Sequence, residues 1–299
     1  MEWGVCTTAK ATVEQTLAFV AWHLDLGASR IWLHLDDPED PVGDLLIGAE
    51  GVTVIHCDAA WWEALGGRPD HHSPRQGLNL RRLYAENRVP WLFHLDVDEF
   101  LTGDAPIDEL LDTVRTDVPY IRLAPFEALF DSSLEDDIFT ATVFRAEVPR
   151  NMPRPWLRRM FGAYRDVLPR GLLGHRAGKC AFLGGKDVRP GIHGPSRSIR
   201  TDFPWQPFNE DMRILHFHAN DKTDWLAKLP RRVAGGYSTN HPLVEFLGTA
   251  SEIDIQRFYY QTQTAVPEKV AIARDQGLIH EQRLELRRRI EARFGAPED

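Results

Sequence analysis

The sequence predicts an α/β fold in which helices flank a mostly parallel β-sheet. Over residues 1–105, apolar segments of strand length alternate with segments of helical periodicity, which is typical of strands joined by crossover helices. Residues 91–95 (WLFHL) are almost uniformly apolar, as expected for a central strand covered on both faces. Ligands of such folds bind beyond the carboxyl ends of the strands, so we expect the chemistry of this protein there.

The first elements follow from the spacing of apolar residues. Residues 7–10 end the first strand, and residues 13–24 then carry Val and Leu at helical spacing until Gly27 stops the helix. Residues 31–35 alternate in the manner of a short strand that runs into an acidic, Pro-containing loop. A further β-rich segment follows at residues 52–55. The order expected up to residue 95 is therefore β-α-β-β-α-β.

The later elements are predicted with decreasing regularity. A helix is expected at residues 76–87, another at 107–114, and a strand at 120–124. Beyond residue 145 Gly and Pro become frequent and the periodicity fades. Helical character returns at residues 279–294, which predicts a terminal helix.

Composition limits the possible classes of function. The 299 residues are 43% hydrophobic and 26% charged, so a sizeable core can form. The net charge of −9 argues against nucleic-acid binding, because affinity for phosphate backbones depends on clustered Lys and Arg. Cys6, Cys57 and Cys180 lack the spacing of a disulfide framework or a zinc site. With no secretory-signal pattern and no apolar run of about 20 residues, we expect a cytoplasmic protein.

One acidic motif directly follows the buried strand at 91–95. It is Asp96-Val97-Asp98, the only Asp-x-Asp of the sequence, with Glu99 behind it. Residues two apart on an extended chain project to the same side, so both carboxylates are expected to face one ligand. A hard divalent cation with open positions for phosphate oxygens would relieve their repulsion. The alternative is that these acids cap the next helix or solvate a turn.

The acidic motif is part of a longer pattern. Its segments are residues 5–10, Trp22-His23, Gln76 and Asn79, residues 91–101 (WLFHLDVDEFL), residues 215–218 and residues 222–228. This pattern resembles the signature of a glycosyltransferase-family-2-like group that has the GT-A fold, a Rossmann-like fold. It departs from the group at Ala9-Lys10-Ala11, where the group usually carries Asn-Glu.

The resemblance implies both a domain organisation and an activity. It covers about residues 1–235, with a nucleotide-sugar half at about 1–105 and an acceptor and lid half at about 106–235. Residues 236–299 would then form a C-terminal helical extension. The implied activity is that of a metal-dependent, hexosyltransferase-like glycosyltransferase. It would move a sugar from a nucleoside diphosphate sugar, a UDP-sugar above all, to a glycan or lipid-linked acceptor.

The resemblance also implies the residues that hold the metal and the donor. Asp98 would bind a Mn or Mg ion directly, Asp96 would contact ribose or metal-bound water, and His218 or His216 would supply a third ligand. Imidazole as a ligand shifts the preference weakly toward Mn. A His on a predicted strand could equally be a packed core residue, and that alternative stays open for both His216 and His218.

Donor recognition is expected at the first two strand exits. Thr7 and Thr8 offer hydroxyl and backbone groups, and Asp36 or Asp37 would accept from uracil or ribose, unless the acidic loop is a solvated turn. Lys10 is expected near a phosphate, the alternative being a surface lysine.

A second set of donor contacts is expected from a Gly-rich stretch. Lys179, His193 and Arg197 lie in or next to the segment 178–194, which we expect to be a mobile lid over the donor.

An inverting transfer also needs a general base for the acceptor hydroxyl. Glu127 and Asp131 are the candidates, because they follow the predicted strand at 120–124. The apolar surroundings of Glu127 would raise its pKa toward a useful value, whereas an acid at a helix start is the alternative.

Two basic segments bear on the acceptor. Residues 145–179 carry eight Arg and one Lys against two acids, which suits a diphosphate, a phosphorylated or lipid-linked acceptor, or pairing with the acidic N-terminal half. The basic terminal helix allows peripheral contact with the inner membrane face, although its interspersed Glu residues favour a solvated helix docked on the core.

Two other functions stay open. A sugar nucleotidyltransferase would share the sheet and the metal chemistry, but it should carry a Gly-rich basic phosphate loop, which residues 7–10 (TTAK) do not supply. A non-catalytic nucleotide- or carbohydrate-binding relative would retain the fold alone. The intact acidic motif and the later His residues argue against that reading.

Overall fold

The computed structural model describes residues 1–86, 88–134, 137–196, 204–219, 221–236 and 241–295. The chain forms two compact units that interleave in sequence. The first unit contains Met1–Ala124, Ala177–Ile214 and Leu286–Asp299, and the second contains Pro125–Arg176 and Leu215–Glu285. Each unit is assembled from separated segments of the chain.

Strands and helices largely alternate up to residue 113, and the later elements come in runs of strands and runs of helices. The strands are β1 (Trp3–Ala9), β2 (Arg30–Leu35), β3 (Val52–His56), β4 (Trp91–His94), β5 (Glu99–Gly103), β6 (Tyr120–Leu129), β7 (Val143–Ala146), β8 (Lys179–Leu183), β9 (Pro190–Gly191), β10 (Gly194–Pro195), β11 (Phe208–His216) and β12 (Ile279–Glu281). The helices are α1 (Val13–Asp25), α2 (Val42–Leu46), α3 (Ala59–Glu63), α4 (His72–Ala85), α5 (Ile107–Thr113), α6 (Arg154–Phe161), α7 (Lys222–Arg231), α8 (His241–Thr249), α9 (Glu252–Gln263), α10 (Pro267–Arg274) and α11 (Leu286–Phe294).

The first unit is built on a mostly parallel sheet, as predicted. Strands β3, β2, β1 and β4 lie side by side in that order and are parallel. Strand β8 pairs antiparallel with β4, and the first part of β6 pairs antiparallel with β8. The α/β fold class expected from the sequence is therefore confirmed, and the four parallel strands all present their carboxyl ends at one edge.

Helix α1 shows how local sequence positions this sheet. Thr12 and Gln15 form a reciprocal capping box that begins the helix. Its apolar face, which includes Phe19 and Val20, is fully buried in the core of the first unit. His23 on the same helix accepts a hydrogen bond from the backbone N–H of Leu101 through Nε2 at 3.2 Å, which ties α1 to β5.

Several elements differ from the prediction for tertiary reasons. Helices α2 and α3 were not predicted, because each has five residues and too few turns to show a period. Residues 279–281 form β12 rather than helix, because they pair with β7. Strand β6 continues to Leu129 because its second part pairs with β7.

The expectation of a mobile lid around Lys179 was wrong. Residues 179–183 form β8, every residue of which is buried, between β4 and β6. Further along, His193 contacts the backbone oxygen of Gly178 through Nδ1 at 2.7 Å. Arg197 lies outside the described residues. Lys179 is therefore a core residue of the sheet.

The second unit has its own sheet and cores. Strands β12 and β7 and the second part of β6 pair antiparallel in that order. One core gathers Trp225, Phe258 and Tyr259 with residues of α8. Another packs Phe161 of α6 against α10. These contacts give residues beyond 145 a packed interior that their sequence periodicity did not reveal.

The terminal helix α11 docks on α1 within the first unit. Leu286 and Ile290 are buried, and Arg289 and Arg293 contact Asp25 at 2.6 and 2.7 Å. Among the described residues, none of the helices has the length and apolar character that crossing a bilayer requires. The arrangement matches the docked-helix alternative.

Candidate functional site

The carboxyl ends of the parallel strands carry most of the polar residues that the sequence singled out. Thr7 and Thr8 lie at the end of β1, Asp36 directly follows β2, Asp58 follows β3, and Asp96 follows β4. Because the four strands are parallel, these positions meet at one edge of the first unit's sheet. The candidate site is built here.

A cleft of about 820 Å³ opens beside β2 and β3. Its size falls within the range of about 300 to 1,000 Å³ that is usual for small-molecule sites. Among its lining residues are Lys10, Asp36, Asp37, Asp58, Trp62 and Arg68. The cleft thus combines an indole, two cations and several carboxylates, and it brings together three of the predicted donor residues, Lys10, Asp36 and Asp37.

Asp36 is the buried acid that binds Arg68 at this cleft. It is buried, and its Oδ1 lies 2.6 Å from Nε of Arg75 while its Oδ2 accepts from Nη2 of Arg75 at 2.8 Å. Arg68 donates to the same carboxylate at 3.2 Å and to the backbone oxygen of Asp36 at 3.3 Å. The carboxylate is therefore engaged by two guanidinium groups, and it holds Arg68, half of which is exposed, at the edge of the cleft.

The acidic motif forms a turn rather than an extended segment. Strand β4 ends at His94, and the backbone N–H of Glu99 donates to the backbone carbonyl oxygen of Asp96 at 3.0 Å. The carboxylate of Glu99 in turn accepts from the backbone N–H of Asp96 at 3.0 Å. This closed turn corrects the expectation that Asp96 and Asp98 share one side of a strand.

A buried ammonium group lies among these acids. Nζ of Lys179 donates to Oδ2 of Asp96 at 2.6 Å and lies 3.3 Å from Oε2 of Glu99. Burial alone lowers the pKa of Lys179, but Asp96 and Glu99 outweigh it and raise that pKa above its ordinary value. Gln76 donates a short hydrogen bond to the other oxygen of Asp96. Lys179 therefore stays charged and fixes the turn from inside the sheet.

The charge of this cluster fits a divalent cation. Asp96, Asp98 and Glu99 contribute three carboxylates, and Lys179 contributes one ammonium group, which leaves two negative charges. The carboxylates of the turn offer oxygen ligands, which hard cations such as Mg²⁺ and Mn²⁺ prefer. Asp98 and Asp96 are the residues that would hold the ion, because Glu99 is fully buried.

His72, at the start of α4, lies near Asp36. Its Nδ1 lies 3.9 Å from Oδ2 of Asp36. Burial lowers the pKa of His72, while the carboxylates of Asp96 and Asp36 oppose that decrease. The ring is therefore within electrostatic reach of both acids.

The two threonines at the end of β1 are both buried. Thr8 accepts a hydrogen bond from Nδ2 of Asn79 at 3.0 Å, and Oδ1 of Asn79 accepts from Nε1 of Trp61 at 3.0 Å. The hydroxyl of Thr7 is fully buried and has no hydrogen-bond partner among the described residues. Thr8 is thus part of an internal chain of hydrogen bonds.

The second unit holds the two candidate bases. Glu127 is fully buried on β6, and its carboxylate accepts from the backbone N–H groups of Leu173, at 2.6 Å, and Gly174. Burial raises the pKa of Glu127, while His216 and these N–H groups oppose the increase. A side chain at Gly174 would come within 2.6 Å of Oε1, so the loop closes tightly over the acid. This placement differs from that of a solvent-accessible base.

Asp131 and the two histidines also belong to the second unit. Oδ1 of Asp131 accepts from the backbone N–H of Ser133 at 2.9 Å and from its hydroxyl at 2.7 Å, and the residue is partly exposed. His218 is buried, and its ring nitrogens have no hydrogen-bond partner in the described part of the chain. Burial and then Arg232 lower its pKa well below 6.5, so the ring is neutral at pH 7. His216 lies beside it, with ring centroids 6.3 Å apart.

Sequence reasoning missed Trp62, Arg68, His72 and Arg75. Two of them carried a local signal, because Gly66-Gly67-Arg68 is a Gly-rich stretch followed by a basic residue, and Arg75 immediately precedes Gln76 on the same helix. The pairing of Arg75 with Asp36, 39 residues apart, carries no local signal.

Comparison with known proteins adds only distant similarities. No protein-family model matches the chain, and no curated protein matches it. Among solved structures it is similar to S. aureus TarS 1-349 in complex with UDP-GlcNAc, with 9% identity and a TM-score of 0.33 over 61% of this chain and 45% of that one. It is also similar to mannosyl-3-phosphoglycerate synthase from Rubrobacter xylanophilus, with 13% identity and a TM-score of 0.31 over 61% and 54% of the two chains.

A third similarity is to CMP:2-keto-3-deoxy-manno-octonic acid synthetase complexed with CTP, with 16% identity and a TM-score of 0.29 over 52% of this chain and 67% of that one. The chain spans 59% of HddC from Yersinia pseudotuberculosis, which it matches at 12% identity and a TM-score of 0.28. At these identities and TM-scores the similarities assign neither a family nor an activity.

Proposed function

We propose that this protein is a glycosyltransferase that takes its sugar from a nucleoside diphosphate sugar and uses a divalent cation. The observation that carries the proposal is the polar edge of the first unit's sheet. There, Asp36 holds Arg68 at the edge of a cleft, and an acidic turn whose net charge is two negative follows β4 at the same sheet edge.

The donor nucleotide would occupy the cleft. The buried Trp62 forms part of the wall of the cleft, and the exposed carboxylate of Asp37 would accept from uracil or ribose. Arg68 is held by Asp36, and Lys10 lies on the same lining, so two cations are available to a diphosphate. Asp36 acts through Arg68 as a positioning residue rather than as a direct contact.

The acidic turn would bind the metal that the diphosphate shares. A bound divalent cation would stabilise the charge that develops on the departing diphosphate. Asp98 would be its direct ligand, and Lys179 and Gln76 hold Asp96 in one orientation beside it. Because Lys179 is fixed before any ligand arrives, the turn needs little reorganisation when the cation binds.

For the acceptor we propose a glycan or a lipid-linked sugar. Of the two candidate bases, Asp131 is favoured, because it is partly exposed and only its Oδ1 is engaged by Ser133. Glu127 would instead hold the loop at Leu173 and Gly174 through its two backbone hydrogen bonds.

The test is calorimetric titration of UDP, with and without Mn²⁺, into wild type, Asp98→Asn and Arg68→Ala. We expect Mn²⁺-dependent affinity to fall at least about tenfold in Asp98→Asn, since an amide oxygen is a weaker ligand for a hard cation. The matched control is Asp44→Asn, an exposed acid on α2 away from the lining of the cleft. Equal Mn²⁺-dependent affinity in wild type and Asp98→Asn would contradict the proposal.

A second assay separates the two transferase classes. A nucleotidyltransferase would release pyrophosphate from a nucleoside triphosphate and a sugar phosphate. A glycosyltransferase would instead release a nucleoside diphosphate from the sugar nucleotide. Pyrophosphate release by the wild-type protein would contradict the glycosyltransferase proposal and support a nucleotidyltransferase instead.

A further inference from the structure

The second unit contains a pocket of about 560 Å³ that none of the proposed donor or metal residues lines. One side is helix α9, and the other includes Asp131 and Ser132 in the loop that follows β6. Lys222, at the start of α7, completes the lining. The volume falls within the range of about 300 to 1,000 Å³ that is usual for small ligands.

Helix α9 lines this pocket with a face that carries large exposed side chains. Ile253, Gln256, Arg257 and Tyr260 follow the spacing of one helical face, and all four line the pocket. Ile253 and Tyr260 are each 64% exposed, although Phe258 on the opposite face is fully buried. Large apolar side chains left exposed together on one face mark a surface that a ligand covers.

Polar groups also line this pocket. Tyr260 and Ser132 bring two hydroxyls to the lining of the pocket, and Lys222 brings an ammonium group. Asp131 uses its Oδ1 for Ser133, which leaves Oδ2 for another donor. The pocket therefore presents an aromatic ring together with donors and acceptors on several sides.

We propose that this pocket binds carbohydrate. A pyranose ring has an apolar face of C–H groups and a rim of hydroxyls that both donate and accept. Tyr260 and Ile253 would pack against the apolar face, and Gln256, Asp131 and Ser132 would bond the hydroxyl rim. Arg257 pairs with Asp254 at 3.6 Å, so Lys222 is the lining cation that should make sugars with a carboxylate bind more tightly than neutral ones.

The test is saturation-transfer NMR on the full chain with trigalacturonate and maltotriose as probes. We expect both sugars to receive saturation at their ring C–H protons, and trigalacturonate to bind at least threefold more tightly. Tyr260→Ala should weaken binding at least tenfold, whereas Tyr260→Phe keeps the ring and should stay within about threefold of wild type.

The matched control exchanges another exposed isoleucine. Ile253→Ser should weaken the binding of both sugars. Ile47 is 68% exposed in the first unit, and Ile47→Ser should leave the binding of both sugars unchanged. All of these positions are on the surface, so the variants are expected to fold, and melting curves check this. The proposal is overturned if neither sugar binds the wild type, or if Tyr260→Ala binds as wild type does. Equal binding of a hexaglutamate peptide would also overturn it, because charge alone would then explain the affinity.

This inference does not depend on the donor site. UDP with Mn²⁺ should bind Tyr260→Ala as it binds wild type, and the two sugars should bind Asp98→Asn as they bind wild type. A failure of sugar binding with intact UDP binding would refute the carbohydrate pocket, which shares Asp131 with the proposed acceptor chemistry, and would leave the donor site standing. The reverse result would refute only the proposed donor and metal site.

Discussion

Replacement of Asp36 by Asn should destabilise the protein more than any other single change at the cleft. The carboxylate is buried, and two of its contacts to the buried Arg75 are 2.6 and 2.8 Å long. Removing one partner of a buried ion pair leaves an uncompensated charge, which costs about 3 to 5 kcal/mol. The amide of Asn keeps the shape of the side chain, so a packing defect contributes little to this loss.

A double-mutant cycle tests the physical reason for this loss. Arg75→Met alone should cost a similar amount, because it leaves the carboxylate of Asp36 with Arg68 as its main cation. The double variant carries neither buried charge, so its loss should be smaller than the sum of the two by about 2 to 3 kcal/mol. Urea unfolding followed by Trp fluorescence gives these free energies, provided that the slope m is unchanged.

Asp37 supplies the control for this experiment. It is the next residue in the sequence and carries the same charge, but it is exposed, and its carboxylate accepts a hydrogen bond from the backbone N–H of Glu39 at 3.1 Å rather than an ion pair from a buried cation. Asp37→Asn should therefore change the free energy of unfolding by no more than about 0.5 kcal/mol. If Asp36→Asn costs as little as this control, Arg75 is not an unpaired buried charge in the variant, and the reasoning is refuted.

Three further predictions concern other parts of the first unit. Burial lowers the pKa of His23 to about 3 from its ordinary 6.5, so the neutral ring stabilises the fold above pH 6.5. That contribution should fall by about 1.4 kcal/mol per pH unit as the pH drops from 6 to 4, and urea unfolding of His23→Asn should show a shallower dependence on pH. Lys179→Met should cost about 3 to 5 kcal/mol without metal. Mn²⁺ should then raise the melting temperature of this variant more than that of wild type, because Asp96 has lost its cation. Asp25→Asn, which removes the contact to Arg293, should cost less than about 1 kcal/mol, and the loss should vanish in 1 M NaCl.

Much of the first unit could be predicted from the sequence because its signals are local. The helical spacing of residues 13–24 and the apolar run at 91–95 depend only on neighbours a few positions away, and both became the elements expected. The polar strand exits followed from the same pattern, since parallel strands end at one edge. Asp36 and Asp96 were identified as site residues for this reason, and both lie at that edge.

The contacts of those residues could not be predicted, because they join distant parts of the chain. The sequence around Lys179 is Gly-rich and gave the expectation of a lid, yet the residue lies in a buried strand and contacts Asp96, 83 positions away. Residues 279–281 have helical character in sequence, but pairing with β7 makes them a strand. A local sequence pattern reflects the preferences of residues a few positions apart. Whether a charge is buried or a strand is paired depends on a partner that is distant in sequence.

The sequence by itself therefore indicated the alternation of strands and helices in the first unit, the sheet edge that carries the candidate site and the acidic segment 96–99, because each of these follows from periodicity and chain direction. Only the tertiary structure decided what the acids do. In the structure Asp36 contacts Arg75 and Arg68, and residues 96–99 form a turn. Lys179 contacts the carboxylates of that turn. The reason is electrostatic: a charge can be buried only where the fold brings its counter-charge within hydrogen-bonding distance, and that distance is set by packing rather than by sequence separation.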